Sequence, residues 1–183
     1  MIITLKYESV KSFICVLYEE TYFLLFMSIA GFFAITSSTM SKSPTLPLFA
    51  QSLGFTNVEI GLVAVSSTIT GIFVNFIAGT LSDTYGRKKM LILSGFFFAT
   101  SPFMYLFVKN GITLALIRAY HGIATAVFTP VSLAVIADVY AKDRGEKMGT
   151  FSSATLIGRL LAPSLAGYTI AIGVFQSHIY YVE

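Results

Sequence analysis

The residues able to do chemistry in this sequence are few, and the conspicuous ones are cations. Arg118 and Arg159 each interrupt a long apolar stretch that holds no Asp or Glu. An unpaired guanidinium at membrane depth costs about 2.5–3.5 kcal/mol on insertion scales. Such a residue either meets an anionic group in a water-filled cavity or is held by helix-end carbonyls and polar side chains. From the residues alone both readings stay open for each. His121 sits one helical turn from Arg118. It could carry a proton, but it is read as a neutral hydrogen-bonding group. Lys42, Ser38, Asn75 and Thr129 are the weaker polar candidates. Asp83 and Arg87 are four residues apart and can pair across one turn. No Ser/His/Asp set, His/Asp metal cluster or phosphate loop is present, so nothing points to an enzyme or to a bound cofactor. A single cysteine, Cys15, allows no intrachain disulfide.

These residues must be positioned by elements that live in lipid. Of the 183 residues, 55% are hydrophobic and 11% charged, and the mean hydropathy is +0.78. A soluble domain would carry about 25% charged residues. The shortfall excludes a soluble enzyme, a disordered tail and a nucleic-acid-binding domain, and makes the lipid bilayer the first partner. Charge-free stretches long enough to span it need about 20 residues. They predict an all-α integral membrane protein with five transmembrane helices at about 21–49, 57–81, 89–108, 112–137 and 147–173. Strands of a closed barrel would alternate strictly, and runs such as FFFATSPFMYLF do not. Residues 1–20 read as a cytoplasmic or interfacial lead and 174–183 as a tail, in which His178 is assigned no role. With the N-terminus in the cytoplasm, Lys6, Lys11, Arg87, Lys88, Lys89, Lys142, Arg144 and Lys147 lie inside, against Lys42 and Lys109 outside. The positive-inside rule favours that orientation. In the first span the outer part, TSSTMSKSPTLPLFA, is polar, which is tolerated only against protein or a cavity. Pro44 and Pro47 should kink it, and Asn57 should cap the second span.

The loop after the second span reads Gly79-Thr-Leu-Ser-Asp83-Thr-Tyr-Gly86-Arg87-Lys-Lys-Met-Leu91, the pattern G-x-L-x-D-x-x-G-R-K-x-x-L. Gly79 would let a helix end approach a neighbour, and Gly86 would allow the tight turn. This segment resembles the signature loop of the major facilitator superfamily of secondary transporters. Leu114-x-x-x-Arg118-x-x-His121-Gly122-x-x-x-Ala126 is similar to the family's fourth-helix motif, with His121 where glutamine is usual. Gly158-x-x-x-Ala162-Pro163-x-x-Ala166-Gly167 is similar to the fifth-helix motif of its proton-coupled antiporters, with two glycines replaced by alanine.

The resemblance implies the N-terminal six-helix half of a transporter, of which five helices are seen before the chain ends at FQSHIYYVE. It implies secondary active transport of a small solute by alternating access, as proton-coupled efflux from the plasma membrane, with the proton gradient as energy source. It places Arg118 and His121 in the cavity-lining fourth helix. It makes Gly79, Asp83, Gly86, Arg87 and Asp138 a conformational gate on the inner side. It gives Gly158, Ala162, Pro163, Ala166 and Gly167 an interdomain packing face. The lone arginines favour an anionic solute, and the antiporter-like helix an amphipathic one. The expected partner is the C-terminal half or a second subunit. The alternatives are a small membrane protein that assembles with another half-transporter and a non-functional truncated product.

Overall fold

The computed structural model describes the backbone of residues 2–108 and 110–180 and the side chains of residues 22–108 and 110–173. The readings of Lys6, Lys11, Cys15, Lys109 and His178 lie outside the described side chains. The elements in order are α1 (Ile2–Lys42), α2 (Thr45–Ser52), α3 (Asn57–Tyr85), α4 (Arg87–Met104), a 3₁₀ turn (Tyr105–Phe107), α5 (Gly111–Val139) and α6 (Arg144–Tyr180). There is no strand among the described residues. Five helical segments of 21 to 31 residues are long and apolar enough to cross a bilayer: Tyr22–Ser52, Asn57–Tyr85, Arg87–Phe107, Gly111–Val139 and Arg144–Gly173. Their lipid-facing character is plain from residues such as Phe76, 88% exposed, and Leu106, 80% exposed.

The first span departs from a single kinked helix. α1 runs from Ile2 without a break, through the segment read as a separate lead, and ends at Lys42. Pro44 lacks the N–H needed to extend it. Pro47 falls in the first turn of α2, where its missing donor would have no intrahelical partner anyway. The cap of α3 is Thr56, not Asn57. Thr56 Oγ1 accepts from the Glu59 N–H at 3.4 Å, and the Glu59 carboxylate accepts from the Thr56 N–H at 2.8 Å. This reciprocal box is written in the sequence as T-x-x-E. Asn110 and Thr113 close a similar box at the start of α5.

α5 is the central helix, and each apolar cluster leans on it. Phe128 and Ile136 join Met27 and Ile35 of α1 and Phe151 of α6. Leu114 packs under Leu46 and Ala50 of α2 and against Val63 of α3. Val127 and Val131 meet Ala78 of α3 and Met90 of α4. Hydroxyls add links between helices. Ser66 Oγ donates to the Ala115 carbonyl at 3.0 Å, joining α3 to α5. Thr100 and Tyr120 hydroxyls lie 2.8 Å apart, joining α4 to α5.

Two glycines let backbones touch. A Cβ on Gly122 would stand 2.7 Å from the Ser67 carbonyl oxygen, and one on Gly158 would stand 2.5 Å from Thr36 Oγ1 and 2.9 Å from the Phe32 carbonyl oxygen. The second contact corrects the reading of the α6 stripe. Gly158, Ala162 and Ala166 are buried, and Gly158 packs on α1 of the same bundle. Pro163 is exposed and Gly167 half-buried, on a neighbouring face. The apolar groups most able to pack closely are therefore used inside the bundle, and α6 continues through Pro163. Gly79 is the opposite case, with nothing within 4 Å of an added Cβ, so no close approach is made there.

Gly122→Ala and Gly158→Ala are each expected to destabilise the protein by about 1–3 kcal/mol through overpacking. Gly79→Ala should be neutral or slightly stabilising, since it gains only helix propensity. Thermal unfolding of the purified protein in detergent, followed by circular dichroism, compares the three.

Candidate functional site

A groove of about 680 Å³ runs between α1, α3, α5 and α6. Each of three helices presents one face to it. α1 contributes Ile35, Ser38, Thr39 and Lys42; α3 contributes Ser67, Thr68, Gly71, Ile72 and Asn75; α5 contributes Thr125, Ala126, Thr129, Pro130 and Leu133. The spacing on each helix follows the three-and-four rhythm of a single face. α6 adds Arg159. Thus the structure brings together Lys42, Ser38, Asn75 and Thr129, the polar candidates of the sequence, and adds Arg159, Ser67, Thr68 and Thr125. These last three were missed. Their signal was a recurrence of small hydroxyls at helical spacing on three helices, visible only once the helices are set side by side.

The chemistry of the groove is cationic and hydroxylic. No Asp or Glu is among the lining residues. Neither Lys42 nor Arg159 forms an ion pair among the described residues. Lys42 is close enough to feel the charges of both Arg118 and Arg159. The Ser38 side chain is 2% exposed, and its hydroxyl has no hydrogen-bond partner among the described residues. Its neighbours Thr36 and Thr39 are satisfied by the Phe32 and Ile35 carbonyls at 2.6 and 2.8 Å.

Arg118 and His121 lie elsewhere, which corrects their grouping with Lys42, Ser38 and Asn75. Arg118 is 2% exposed and donates from Nη1 to the Tyr105 hydroxyl at 3.2 Å, while its Nε has no partner among the described residues. It lies two turns along α5 from Thr125, one turn from Leu114, at the level where α2 packs across the bundle. It is not among the residues that line the groove. His121 is 5% exposed, and neither ring nitrogen has a hydrogen-bond partner among the described residues. Its ring stands edge-on to Phe98 and Tyr105, with centroids 6.1 and 6.3 Å away. It borders a second, mostly apolar groove of about 560 Å³ shared with Phe32, Phe33, Met40 and Leu165.

At the end of the bundle formed by the α3–α4 and α5–α6 connections, Arg87 bridges two carboxylates. Its Nη2 lies 3.2 Å from Asp83 Oδ1, one turn back across the α3–α4 junction. Its Nε donates to Asp138 Oδ2, and its Nη2 reaches Asp138 Oδ1 at 3.4 Å. Gly86 makes this possible. It ends α3 and starts α4 with φ +92°, a conformation that strains any residue with a Cβ. The three side chains are partly exposed, at 28% for Arg87, 64% for Asp83 and 58% for Asp138. A pair so open to water contributes less than about 1 kcal/mol.

The sequence profile of the Major Facilitator Superfamily matches residues 24–182. The chain belongs to the Major Facilitator Superfamily. Among its relatives is an uncharacterized MFS-type transporter of Methanocaldococcus jannaschii, 37% identical over 126 residues, which make up 68% of this chain and 33% of that protein. The quinolone resistance protein NorA of Staphylococcus aureus strain MRSA252 is 27% identical over the same length, covering 68% of this chain and 32% of NorA. The chain therefore spans about a third of the length of the curated relatives it matches. As a member of this superfamily it is a multi-pass plasma-membrane protein whose apolar helices contact lipid. The superfamily is one of transporters of small molecules, not of enzymes.

Within this superfamily member, the Arg118–Tyr105 pair yields a stability test. Tyr105→Phe keeps the ring but leaves the buried guanidinium without its hydroxyl, at an expected cost of about 1–3 kcal/mol. Adding Arg118→Met removes the stranded charge and should recover part of that loss. Denaturant titration of the single and double variants in detergent measures both.

Proposed function

We propose that this chain supplies the first five spanning helices of a secondary active transporter, with its N-terminus in the cytoplasm, that exports a small solute by alternating access. The observation that carries the proposal is the groove: four helices bring two unpaired cations and a set of hydroxyls together between apolar spans. Polar groups at membrane depth persist where they meet a solute, water or a covering protein surface. The groove is open along one side, which is where a second helical body would close it.

The outward direction is supported by the relative named for quinolone resistance, 27% identical to this chain. The proton gradient is the proposed energy source. The coupling carboxylate would have to face the groove from the covering body, because no Asp or Glu is among the lining residues. That body is proposed to be the C-terminal half of the same transporter; a separate half-transporter would present the same kind of surface.

Arg87, held between Asp83 and Asp138, is the proposed conformational gate, with Gly86 as its hinge. Its weakness as an ion pair suits the task. A bridge worth less than about 1 kcal/mol can hold one arrangement of two connections and still break thermally in each cycle. Arg118 is proposed to act from behind the groove, adding positive field at Lys42.

The test is reconstitution of the intact transporter in proteoliposomes with an imposed pH gradient. Asp83→Asn and Asp138→Asn should each slow turnover by about two- to fivefold, the most that a bridge worth less than about 1 kcal/mol can supply, while solute affinity stays close to that of the unaltered protein. Normal turnover in both variants would remove the gate. Absence of any gradient-dependent flux in the unaltered protein would remove the transport reading.

A further inference from the structure

We propose that the groove between α1, α3, α5 and α6 selects organic anions, with Lys42 and Arg159 gripping the negative group and the Ser38 hydroxyl donating to it. This rests on the reading of the groove as the solute-facing surface, and it names the class of solute.

Three observations point the same way. First, the two cations come from different helices, α1 and α6, yet line one cavity. Neither is paired with a carboxylate among the described residues, and no acidic residue is among the lining residues. Two like charges in one cleft repel, and an anion between them turns repulsion into attraction. Secondly, the Ser38 hydroxyl is 2% exposed, lines the groove and has no acceptor. A buried hydroxyl in this state is costly until something accepts its proton. Thr39, the other hydroxyl that α1 presents to the groove, turns back onto the Ile35 carbonyl, which leaves Ser38 as the α1 hydroxyl for a ligand. Thirdly, the remaining walls are mixed. Ile35, Ile72 and Leu133 supply apolar contact, and Thr129 and Asn75 supply neutral hydrogen-bonding groups. An anionic head on a small apolar body matches that division. A solute cation would meet two positive charges and no carboxylate.

Binding to the purified chain in phosphatidylcholine nanodiscs tests the selection, with three fluorescent probes that share one ring system: dansylglycine (anionic), dansylglycinamide (neutral) and dansylcadaverine (cationic). Signal from protein-free nanodiscs is subtracted. The anionic probe should bind about tenfold tighter than the neutral one, the size of one charge-assisted hydrogen bond, and the cationic probe most weakly. Lys42→Gln and Arg159→Gln should each shrink the preference, the double variant should abolish it, and Ser38→Ala should weaken the anion alone. Gly71→Trp, at a groove-lining position where an added Cβ meets nothing, should block all three. Equal binding of the three probes, lost in Gly71→Trp, would overturn the anion selection and leave the groove as a solute site. Binding that Gly71→Trp does not affect, or no binding of any probe, would overturn the groove reading itself.

Discussion

Inside hydrocarbon, apolar side chains gain almost nothing by leaving lipid for one another, so a helical bundle must be held by close contact and by hydrogen bonds. Here the contact is made at two glycines. Gly122 brings α5 onto the backbone of α3 at Ser67, and Gly158 brings α6 onto α1 at Phe32 and Thr36. Ser67 itself then lines the groove, and Thr39 and Lys42 stand one and two turns beyond Thr36 and Ile35 on α1. The helix spacing fixed at these glycines therefore sets the width of the cleft in which the polar groups meet. Larger residues would separate the helices and spread the cations apart.

The same packing decides which cations are available. α2 folds back after Pro44 and seals the level of Leu114 with Leu46 and Ala50. Arg118, one turn further along α5, is closed in with Tyr105 and remains 2% exposed. Lys42 and Arg159 escape that cover and face the groove. Of the three basic residues, two line the groove and the third is buried outside it.

The fold was legible because the cost of inserting charge is large and its signature is simple. Five charge-free runs mark five spans. The helices overrun those runs because their terminal turns carry the charged residues that sit at the membrane boundary: Asp83 ends α3, Arg87 to Lys89 open α4, Asp138 ends α5 and Arg144 opens α6. The Asp83–Arg87 pair was legible from spacing alone, since four residues make one turn. Asp138 needed the family pattern, because only the antiparallel arrangement of α3, α4 and α5 puts it beside Arg87. The site was read less well. Sequence periodicity reports which residues share a face of one helix, and it does not say which face meets which. So Arg118 and His121 were grouped with Lys42, although neither lines the groove. For the same reason Gly158 was assigned to an external face, when it packs on α1 of the same bundle.

A cleft that holds two unpaired cations among apolar spans is a strained arrangement when empty. On insertion scales a charge within a span, such as that of Arg159, costs about 2.5–3.5 kcal/mol at mid-membrane, and the close packing at Gly122 and Gly158 prevents the helices from spreading to relieve it. The relief must come from water, from the covering body or from a solute. Water satisfies the charges but holds the cleft open. An anion satisfies them and also removes the repulsion between them, so the opposing surface can approach only when the cleft is filled. The exposed bridge at Arg87 adds too little energy to resist that closure. On the proposed transport reading, occupancy of the groove and not the bridge at Arg87 would supply the difference in free energy between open and closed arrangements.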